Sequence, residues 1–478
     1  MNKKINFILN NELIEIEINP STVLLDFIRS LRMTGTKEGC KEGDCGACTV
    51  LTGEFIDNEV VYRSVNSCLI PLQNISGRHV VTIEGLNQEN KELSPIQQSF
   101  AECGASQCGF CTPGFIVSLT GHFLNKGKLN HNNVIDSMDG NICRCTGHNS
   151  IIRAAGLVSE KFKINDNNSN RSSLKFLIDS KIIPEYFSTI KERLQKIHTN
   201  EIVSSVSSGS KVKYFIAGGT DLFVQRPEEM LYSDVVFLEE KNNLKRINIA
   251  DGYCHIGSTA TVTDILESEI INKIFPDVCN FAELFGSTPI RNSATIGGNI
   301  NNASPIGDMT AFFMALNSNV VLSDGNTKRE IPLNKYYKSY KVTERKPDEY
   351  MDSINFKIPE GNYFFNFEKV SKRTYLDIAS VNTAVLFNLK DEMITDIHLS
   401  AGGVSSVPIY LFKTRDYLKG KFLNTENLRE AVSVSAEEIS PISDARGSAE
   451  YKSLLLSRLI CTHFITLFPD LIELSETL

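Results

Sequence analysis

The chain has 478 residues, of which 41% are hydrophobic and 22% charged, and this composition is that of a folded globular protein with roughly three or four domains. A net charge of −8, without basic blocks, argues against nucleic acid as the main partner. No apolar stretch approaches the roughly 18 residues that a membrane span needs.

The N-terminal segment MNKKINFILNNELIEIEI does not read as a secretory signal, because its apolar run covers only Ile5 to Leu9 and contains Asn6. We therefore expect a cytoplasmic protein in a reducing compartment. Eight of the 12 cysteines fall into two tight groups before residue 150. In a long cytoplasmic chain such groups bind metal or do redox chemistry more often than they form a disulfide framework.

The first predicted elements are two strands and a short helix. Residues 4–9 and 13–18 predict two strands of a hairpin around Asn10 and Asn11. Ser21 is a candidate N-cap for a short helix through Leu31. A hairpin, a helix and then a cysteine-rich loop is the order of a β-grasp ferredoxin fold.

The stretch CKEGDCGAC at 40–48 has the spacing C-x4-C-x2-C, and a further cysteine stands at position 68. This is the plant-type ferredoxin arrangement, which holds a [2Fe–2S] cluster by four thiolates. Interspersed glycines tolerate the unusual backbone angles of such a loop. A zinc site is the main alternative, although zinc sites usually pair two C-x2-C units and this group has one. The candidate metal ligands are Cys40, Cys45, Cys48 and Cys68.

The second group consists of QCGFCTPGF at 107–115 and CRCTG at 143–147. Two ligands one residue apart require a sharp turn, which Gly147 suits. Helical spacing of apolar residues predicts a helix over 113–126, with Pro113 in its first turn. We expect a second helix to begin with residues 133–138. The candidate metal ligands are Cys108, Cys111, Cys143 and Cys145.

Both motifs together resemble the xanthine oxidase family of molybdenum hydroxylases, in which a ferredoxin domain precedes an all-α [2Fe–2S] domain. The resemblance implies two [2Fe–2S] clusters, held by the two sets of four cysteines. It also implies that Gln107 and Cys145 lie against a molybdopterin on a partner subunit. Cys103 lies outside the family pattern, and we interpret it as a structural thiol. Cys254, Cys279 and Cys461 are isolated, and we expect them in the hydrophobic core.

In the second half, VKYFIAGGTDLFV predicts a strand that leads into a tight turn, and SATIGGNINNASPIGD (293–308) is a second glycine-rich stretch. Neither G-x-G-x-x-G nor a P-loop is present, and the first turn alone is weak evidence of phosphate binding. The pair resembles the FAD domain of the same family, of the PCMH/vanillyl-alcohol-oxidase type. The resemblance implies FAD contacts from Phe215, Ile216, Ala217, Gly218, Gly219, Thr220, Asp221, Leu222, Thr295, Ile296, Gly297, Gly298, Asn299 and Asp308.

Phe285 has two interpretations, a ring stacked near the flavin or a core aromatic on a predicted helix over 278–286. The alternating pattern after Phe365 and helical patterns at 427–438 and 448–468 resemble the family's small C-terminal domain. Lys369 or Arg373 could approach the cofactor edge there. Ser380 stands where the family sometimes has a lysine, which puts a flavin contact by this position in doubt.

The sequence thus predicts a multidomain α+β chain: a ferredoxin-type domain (1–82), a helical [2Fe–2S] domain (83–160), a polar linker (161–179), an FAD domain (180–362) and a C-terminal domain of the CO-dehydrogenase-flavoprotein type (363–478). The molybdenum domain of the family is far larger than any segment left over here. The resemblance therefore implies the electron-transfer subunit of a xanthine dehydrogenase, paired two plus two with a large molybdenum subunit. We expect the helical-domain cluster to face that subunit, and the ferredoxin-type cluster to lie between it and the FAD.

NAD+ or O2 would be the final acceptor, and xanthine or hypoxanthine the substrate. The alternatives are another molybdenum hydroxylase, acting on an aldehyde or an N-heterocycle, and a non-molybdenum ferredoxin–flavoprotein reductase.

Overall fold

The computed structural model describes residues 2–125, 131–162, 173–198, 214–240, 242–373 and 376–470. These residues divide into two compact units. The first comprises those within 1–210, 218–240 and 287–293, and the second those within 211–217, 241–286 and 294–478. Residues 163–172 of the predicted linker lie outside the described residues.

The strands, in chain order, are β1 (Lys3–Leu9), β2 (Glu12–Ile18), β3 (Thr49–Ile56), β4 (Glu59–Asn66), β5 (His79–Val81), β6 (Tyr214–Ile216), β7 (Val235–Phe237), β8 (Ile247–Ala250), β9 (Tyr253–Gly257), β10 (Asn319–Ser323), β11 (Lys328–Pro332), β12 (Tyr337–Ser339), β13 (Val342–Thr343), β14 (Tyr350–Lys357), β15 (Tyr363–Val370), β16 (Val381–Lys390), β17 (Met393–Gly402) and β18 (Ile409–Tyr410).

The α-helices are α1 (Leu24–Ser30), α2 (Pro95–Glu102), α3 (Thr112–Leu124), α4 (His131–Asp136), α5 (Asn149–Lys161), α6 (Leu174–Asp179), α7 (Phe187–His198), α8 (Leu222–Gln225), α9 (Pro227–Tyr232), α10 (Val262–Glu267), α11 (Glu269–Ile274), α12 (Thr288–Arg291), α13 (Ile296–Asn302), α14 (Asp308–Ala315), α15 (Phe412–Leu418), α16 (Thr425–Ala436) and α17 (Ala449–Leu467). None of these helices, which are those of the described ranges, is both long and apolar enough to cross a membrane.

The N-terminal sheet has the strand order β2-β1-β5-β3-β4, with β1 parallel to β5 and the other neighbours antiparallel. The β1–β2 hairpin turns at Asn10 and Asn11, as the sequence predicts. Apolar side chains of α1, among them Leu24, Phe27 and Ile28, pack into the core of this sheet. A mixed sheet covered by one helix is a β-grasp arrangement, so this part of the fold prediction is confirmed.

The predicted helix start at Ser21 is wrong. The helix begins at Leu24, after the extended residue Val23, which pairs with Pro71 in an isolated bridge. Upstream, the backbone N–H of Ser21 donates to the side chain of Asn19. This local turn and the bridge hold the chain outside helical geometry until Val23.

Next in the chain is a helical layer whose core includes residues of α2, α3 and α5. Ser94 caps α2 with a capping box. Pro113 lies in the first turn of α3, as the sequence predicts. The second predicted helix is present as α4, two residues earlier than expected. Helix α7 packs against β1 and β3 of the N-terminal sheet, with Ile190 and Leu194 facing Ile8.

Among the described residues, the second unit contains two larger sheets and the two-stranded sheet β12-β13. One of the larger sheets is antiparallel, with the order β11-β10-β14-β9-β8, and shares its core with residues of α10, α11, α13 and α14. The other has the order β15-β16-β17-β18, and α17 packs against β15 and β16. Helix α14 also packs against β16 and β17, so it joins the two layers. Largely antiparallel sheets, each packed against helices, confirm the predicted α+β class.

Candidate functional site

The first cysteine group lies in the loop between α1 and β3, and its fourth member follows β4. The four thiols meet as two pairs. The Sγ atoms of Cys48 and Cys68 are 3.4 Å apart, and Cys40 and Cys45 share a side-chain hydrogen bond. Thiolates bound tetrahedrally to one metal ion at about 2.3 Å lie roughly 3.8 Å from each other. The close pair is therefore spaced nearly as two ligands of one metal ion are.

Backbone N–H groups of this loop point at the sulfurs. The N–H of Glu42 is 3.4 Å from Cys40 Sγ, measured between heavy atoms. The hydrogen bond from Cys45 has the largest effect on Cys40, and with the amides of Glu42 and Asp44 it outweighs burial and lowers the pKa of Cys40 to about 5. A thiolate surrounded by amide donors is the form in which cysteine binds iron.

Two glycines of the loop are required by close contacts. A Cβ atom on Gly39 would lie 2.7 Å from the Sγ of Cys45. Gly46 has a φ of +66°, and a Cβ there would lie 2.2 Å from the carbonyl oxygen of Gly140. Both positions exclude a side chain, so the loop can wrap its sulfurs only with glycine here.

The second cysteine group surrounds the start of α3 and the turn before α5. Cys111 is the residue immediately before α3, and Gly147 in the turn has a φ of +64°, as the C-x-C spacing predicts. The thiols again form two pairs. The Sγ atoms of Cys108 and Cys145 are 3.5 Å apart, and Cys111 and Cys143 share a side-chain hydrogen bond.

The thiols of this second group differ in their polar contacts and in their burial. Cys143 Sγ is 3.4 Å from the backbone N of Thr146 and 3.1 Å from its hydroxyl oxygen. The backbone N–H of Cys143 donates over 3.2 Å to Nε2 of His148. Burial raises the pKa of Cys111 to about 12, whereas Cys108 and Cys145 are exposed. One half of this site therefore faces solvent, and the other half lies in the core.

The donor sets fit a two-iron cluster. Each cysteine group offers two pairs of thiols. A [2Fe–2S] cluster needs two thiolates on each of two irons, so the pairing matches that chemistry.

The two cysteine loops contact each other directly. The backbone N–H of Ile142, next to Cys143, donates to the carbonyl oxygen of Cys45 over 3.0 Å. The side-chain amide of Asn141 donates to the carbonyl oxygen of Gly46, also over 3.0 Å. The backbone segments that carry the two sets of predicted metal ligands are thus hydrogen-bonded to each other.

The remaining cysteines are dispersed. Cys254 and Cys461 are buried, as predicted. Cys279 is exposed, and its thiol donates to the carbonyl oxygen of Leu266 and to Asn272, so its predicted core position is wrong. Cys279 lies on the exposed side of a 3-10 segment whose residues Val278 and Phe281 face the core instead. Cys103 is half-buried at the end of α2 and packs beside the helical core.

The first glycine-rich turn is divided between the two units. Phe215, Ile216 and Ala217 belong to the second unit, where the ring of Phe215 packs against that of Tyr350. Gly218, Gly219, Thr220, Asp221 and Leu222 belong to the first unit. Gly219 has a φ of +81°, and a Cβ there would lie 3.3 Å from the carbonyl oxygen of Leu69. The turn therefore lies against the residue that follows Cys68.

The second glycine-rich stretch forms the start of α13. The hydroxyl of Thr295 accepts from the N–H of Gly298, and the N–H of Gly297 donates to the carbonyl oxygen of Ser258. A Cβ on Gly297 would lie 2.7 Å from the Cβ of Ser258, so the two segments touch along their backbones. Ile296 is fully buried beneath them.

Unpartnered polar atoms cluster at this stretch. Oδ1 of Asn299 and Oγ of Ser258 are buried and have no hydrogen-bond partner. Buried polar atoms normally have a partner, and one that lacks it points to a missing ligand or water. The hydroxyl-rich ribityl chain and the phosphates of FAD would supply such partners, so the residues present fit the cofactor.

Asp308 is engaged by protein groups on both carboxylate oxygens. Oδ2 accepts from Nζ of Lys369 over 2.7 Å, and Oδ1 accepts from Nδ2 of Asn382 over 2.6 Å. Nζ of Lys369 also donates to the carbonyl oxygens of Leu284 and Asp377. Lys369 thus lies beside a predicted FAD residue, although its three protons are already used within the protein.

The other predicted contacts near the flavin have protein partners. Phe285 is only 4% exposed, and its ring packs edge-on against Phe312 and Phe367, contacts that favour the core interpretation. Arg373 donates to the carbonyl oxygen of Leu376. Ser380 donates to the carbonyl oxygen of Arg446. The roles of these residues toward a flavin stay predictions.

Sequence reasoning missed several residues of the site. Asn141, Thr146 and His148 contact the cysteine loops, and Ser258 and Asn382 contact the glycine-rich stretch or Asp308. For the first three, a signal was available, since each stands within three residues of a predicted cysteine ligand. Ser258 and Asn382 are distant in sequence, and only the folded sheets bring them to their partners.

Comparison with known families covers most of the chain. Residues 7–73 match the family described as "2Fe-2S iron-sulfur cluster binding domain", and residues 82–156 match "[2Fe-2S] binding domain". Residues 194–360 match "FAD binding domain in molybdopterin dehydrogenase", and residues 367–466 match "CO dehydrogenase flavoprotein C-terminal domain". Two [2Fe–2S] clusters and one FAD are therefore the cofactors of this chain.

Among curated proteins, the chain is 29% identical to xanthine dehydrogenase of Emericella nidulans, an alignment that covers 87% of the chain and 35% of that protein. It is 28% identical to xanthine dehydrogenase 1 of Arabidopsis thaliana (91% and 37% covered) and 27% identical to aldehyde oxidase 1 of Bos taurus (94% and 38% covered). The chain thus spans between a third and two fifths of the length of these relatives.

Two solved structures share part of the fold. Carbon monoxide dehydrogenase from Hydrogenophaga pseudoflava aligns with a TM-score of 0.50 at 23% identity, over 53% of this chain and 88% of that one. Quinoline 2-oxidoreductase from Pseudomonas putida 86 aligns with a TM-score of 0.50 at 19% identity, over 54% of this chain and 90% of that one. At these identities the likeness concerns the fold alone.

Proposed function

We propose that this chain, a member of the molybdenum hydroxylase family by its iron–sulfur and FAD domains, is the electron-transfer subunit of a xanthine dehydrogenase. A large subunit would carry the molybdopterin and hydroxylate xanthine or hypoxanthine, and NAD+ would be the final acceptor. When bound, the two [2Fe–2S] clusters exchange single electrons and the FAD exchanges two. The observation that carries the proposal is the direct backbone contact between two loops, each of which holds a complete set of paired thiols.

The residues of this chain would hold the cofactors in a fixed order. The ferredoxin-type cluster would be held by the loop at 40–48 and by Cys68, and the other by the cysteines around α3. The turn at Gly219 lies against Leu69, beside Cys68, which supports a flavin next to the ferredoxin-type cluster. Exposure of Cys108 and Cys145 supports a partner subunit next to the other cluster.

The substrate we propose is xanthine or hypoxanthine, and the acceptor is NAD+. Similarity to xanthine dehydrogenases over most of the chain supports xanthine. The alternative is an aldehyde-oxidising complex. It is favoured by the similarity of this chain to bovine aldehyde oxidase 1, which is almost as high as its similarity to the xanthine dehydrogenases. The helical cysteine domain argues against a simple ferredoxin–flavoprotein reductase, which has no need of it.

The test is to purify the chain with its molybdenum partner, which we expect in a two-plus-two complex, and to assay it with purines and aldehydes. Two [2Fe–2S] clusters require about four iron and four labile sulfide per chain, beside one FAD. Xanthine-dependent reduction of NAD+ is the expected activity. Aldehyde oxidation without xanthine turnover would favour the alternative, and stoichiometric zinc in place of iron would contradict the proposal.

The order of the cofactors can be tested at Gln107, which is exposed one residue before Cys108. In the assembled complex, Gln107→Ala should slow reduction of the enzyme by substrate or weaken assembly, because the side chain would face the partner's pterin. Reduction from NADH, which enters at the flavin, should stay normal. A slowed NADH reaction with normal substrate reduction would reverse the proposed order.

A further inference from the structure

We propose that Asn141 is a positioning residue that fixes the separation of the two cluster-binding loops. The inference rests on the proposed electron-transfer function and adds to it the residue that holds the two clusters at a constant spacing. In the sequence this position is marked only as a neighbour of the predicted ligand Cys143, and its role follows from where its side chain lies.

The side chain of Asn141 bridges the two iron–sulfur domains. It is 3% exposed. Its Nδ2 donates to the carbonyl oxygen of Gly46 over 3.0 Å and lies 3.2 Å from the hydroxyl of Thr49. Its Oδ1 accepts from the hydroxyl of Ser118 on α3 over 2.7 Å. One amide therefore ties the helical domain to the ferredoxin-type loop.

Those bonds lie next to the predicted ligands on both sides. Gly46 directly follows Cys45, and Asn141 stands two residues before Cys143. The neighbouring bond from Ile142 to the carbonyl oxygen of Cys45 runs the same way. A shift of Asn141 would therefore move one loop against the other at the ligands themselves.

The backbones at this contact leave no space for adjustment. A Cβ on Gly114 would lie 2.3 Å from the carbonyl oxygen of Gly46, and a Cβ on Gly46 would lie 2.2 Å from that of Gly140. Glycine on both sides allows the chains to touch. The amide of Asn141 supplies the directional bonds that hold them in register.

Cohesion of the two domains does not depend on this amide. Leu51 and Tyr62 of the ferredoxin-type sheet belong to the same apolar cluster as Phe115 and Leu119 of α3. This cluster holds the domains together, so the contribution of Asn141 is the spacing of the loops.

The experiment measures the magnetic splitting between the two reduced clusters by low-temperature electron paramagnetic resonance of the complete complex. In Asn141→Asp the donor to Gly46 is lost and a carboxylate faces that carbonyl oxygen. We expect a smaller splitting with full iron content. Thr120→Val is the matched control, because it removes a buried hydroxyl of α3 whose bond, to the carbonyl oxygen of Ile116, lies within that helix and does not involve Asn141. It should retain the wild-type splitting.

A second variant approaches the contact from the other side. Gly114→Ala inserts a methyl group against Gly46 and should also reduce the splitting, with iron retained. Wild-type splitting in both Asn141→Asp and Gly114→Ala would overturn the inference, and so would loss of iron in both, which would assign the contact to cluster retention. Absence of cluster signals from the unmodified protein would contradict the proposed function itself.

Discussion

Lys369 is an almost fully buried cation in the second unit, with its side chain 2% exposed. Its ammonium donates to Asp308, Leu284 and Asp377, and no donor proton is left for a further acceptor. The same contacts connect α14, the segment before Phe285 and the loop after β15. At the scale of one residue, Lys369 therefore neutralises Asp308 and holds three segments around the predicted flavin site.

Replacing Lys369 with methionine should destabilise the protein by about 3–5 kcal/mol, because the change leaves Asp308 without its buried counter-charge. FAD content should fall with it. Urea unfolding and flavin absorbance measure the two effects. The control is Lys372→Met, since Lys372 is exposed and donates to one carbonyl oxygen only. An equal loss in both variants would contradict the role of the buried pair.

Thr146 is a single residue placed to affect the helical-domain cluster, because its hydroxyl lies 3.1 Å from Cys143 Sγ. Thr146→Val keeps the shape and the backbone N–H but removes the hydroxyl. Hydrogen bonds to cluster sulfurs raise the reduction potential. Loss of one bond worth ~1 kcal/mol should lower the potential of the helical-domain cluster by about 40 mV. A redox titration followed by paramagnetic resonance would show this, and an unchanged potential would contradict it.

At the scale of elements, His463 on α17 connects the helix to the C-terminal sheet. It is fully buried, with Nδ1 3.0 Å from Asn366 on β15 and Nε2 2.7 Å from Thr383 on β16. Burial lowers the pKa of His463 to about 3. The helix is therefore docked by a neutral ring, which the unfolded chain would protonate near its ordinary pKa of 6.5.

Stability should consequently fall as the pH decreases from about 6.5 toward 3, because only the unfolded state binds the proton in that window. The contribution of His463 is at most ~1.4 kcal/mol per pH unit. Burial raises the pKa of nearby Glu368, which titrates in the opposite sense. Urea unfolding of the wild type and of His463→Gln at several pH values isolates the histidine. Identical pH dependence of the two proteins would contradict the prediction.

Helices and strands that are specified by neighbouring residues were predictable from the sequence. The β1–β2 hairpin, α3 with Pro113 in its first turn, and the C-terminal helices follow from periodicity and turn residues. The start of α1 was not, because the bridge from Val23 to Pro71 is a contact between distant residues. The same holds for the partners of Asp308, since Lys369 lies 61 positions away. Sequence spacing identifies the cysteines, and only the fold reveals which groups surround them.

At the scale of the whole molecule, the iron–sulfur region and the C-terminal flavin segments have separate apolar cores. Cys45→Ser should therefore remove the paramagnetic signal of one cluster and leave that of the other. FAD content should persist, because the stretch at Thr295–Asn299 and Asp308 belongs to the second unit. Metal analysis, paramagnetic resonance and flavin absorbance test this together. Loss of both clusters and of FAD would show that the parts do not fold independently.

The assignment to a cytoplasmic location and to an NAD+-reducing complex stays a prediction at this scale. The matched domains of this chain bind the electron-carrying cofactors, and under the proposed function the substrate pocket belongs to a partner subunit. A substrate assay of the assembled complex therefore tests xanthine specificity.

The two cysteine groups differ in exposure, and this difference predicts which thiols are oxidised first in air. Cys48 and Cys68 are buried, whereas Cys108 and Cys145 lie at the surface. Thiolate oxidation follows exposure. In the chain without its partner, peroxide or oxygen would oxidise the exposed sulfurs of the helical domain first. These sulfurs belong to the cluster that the partner subunit is proposed to cover. Assembly would then protect the cofactor as well as connect it.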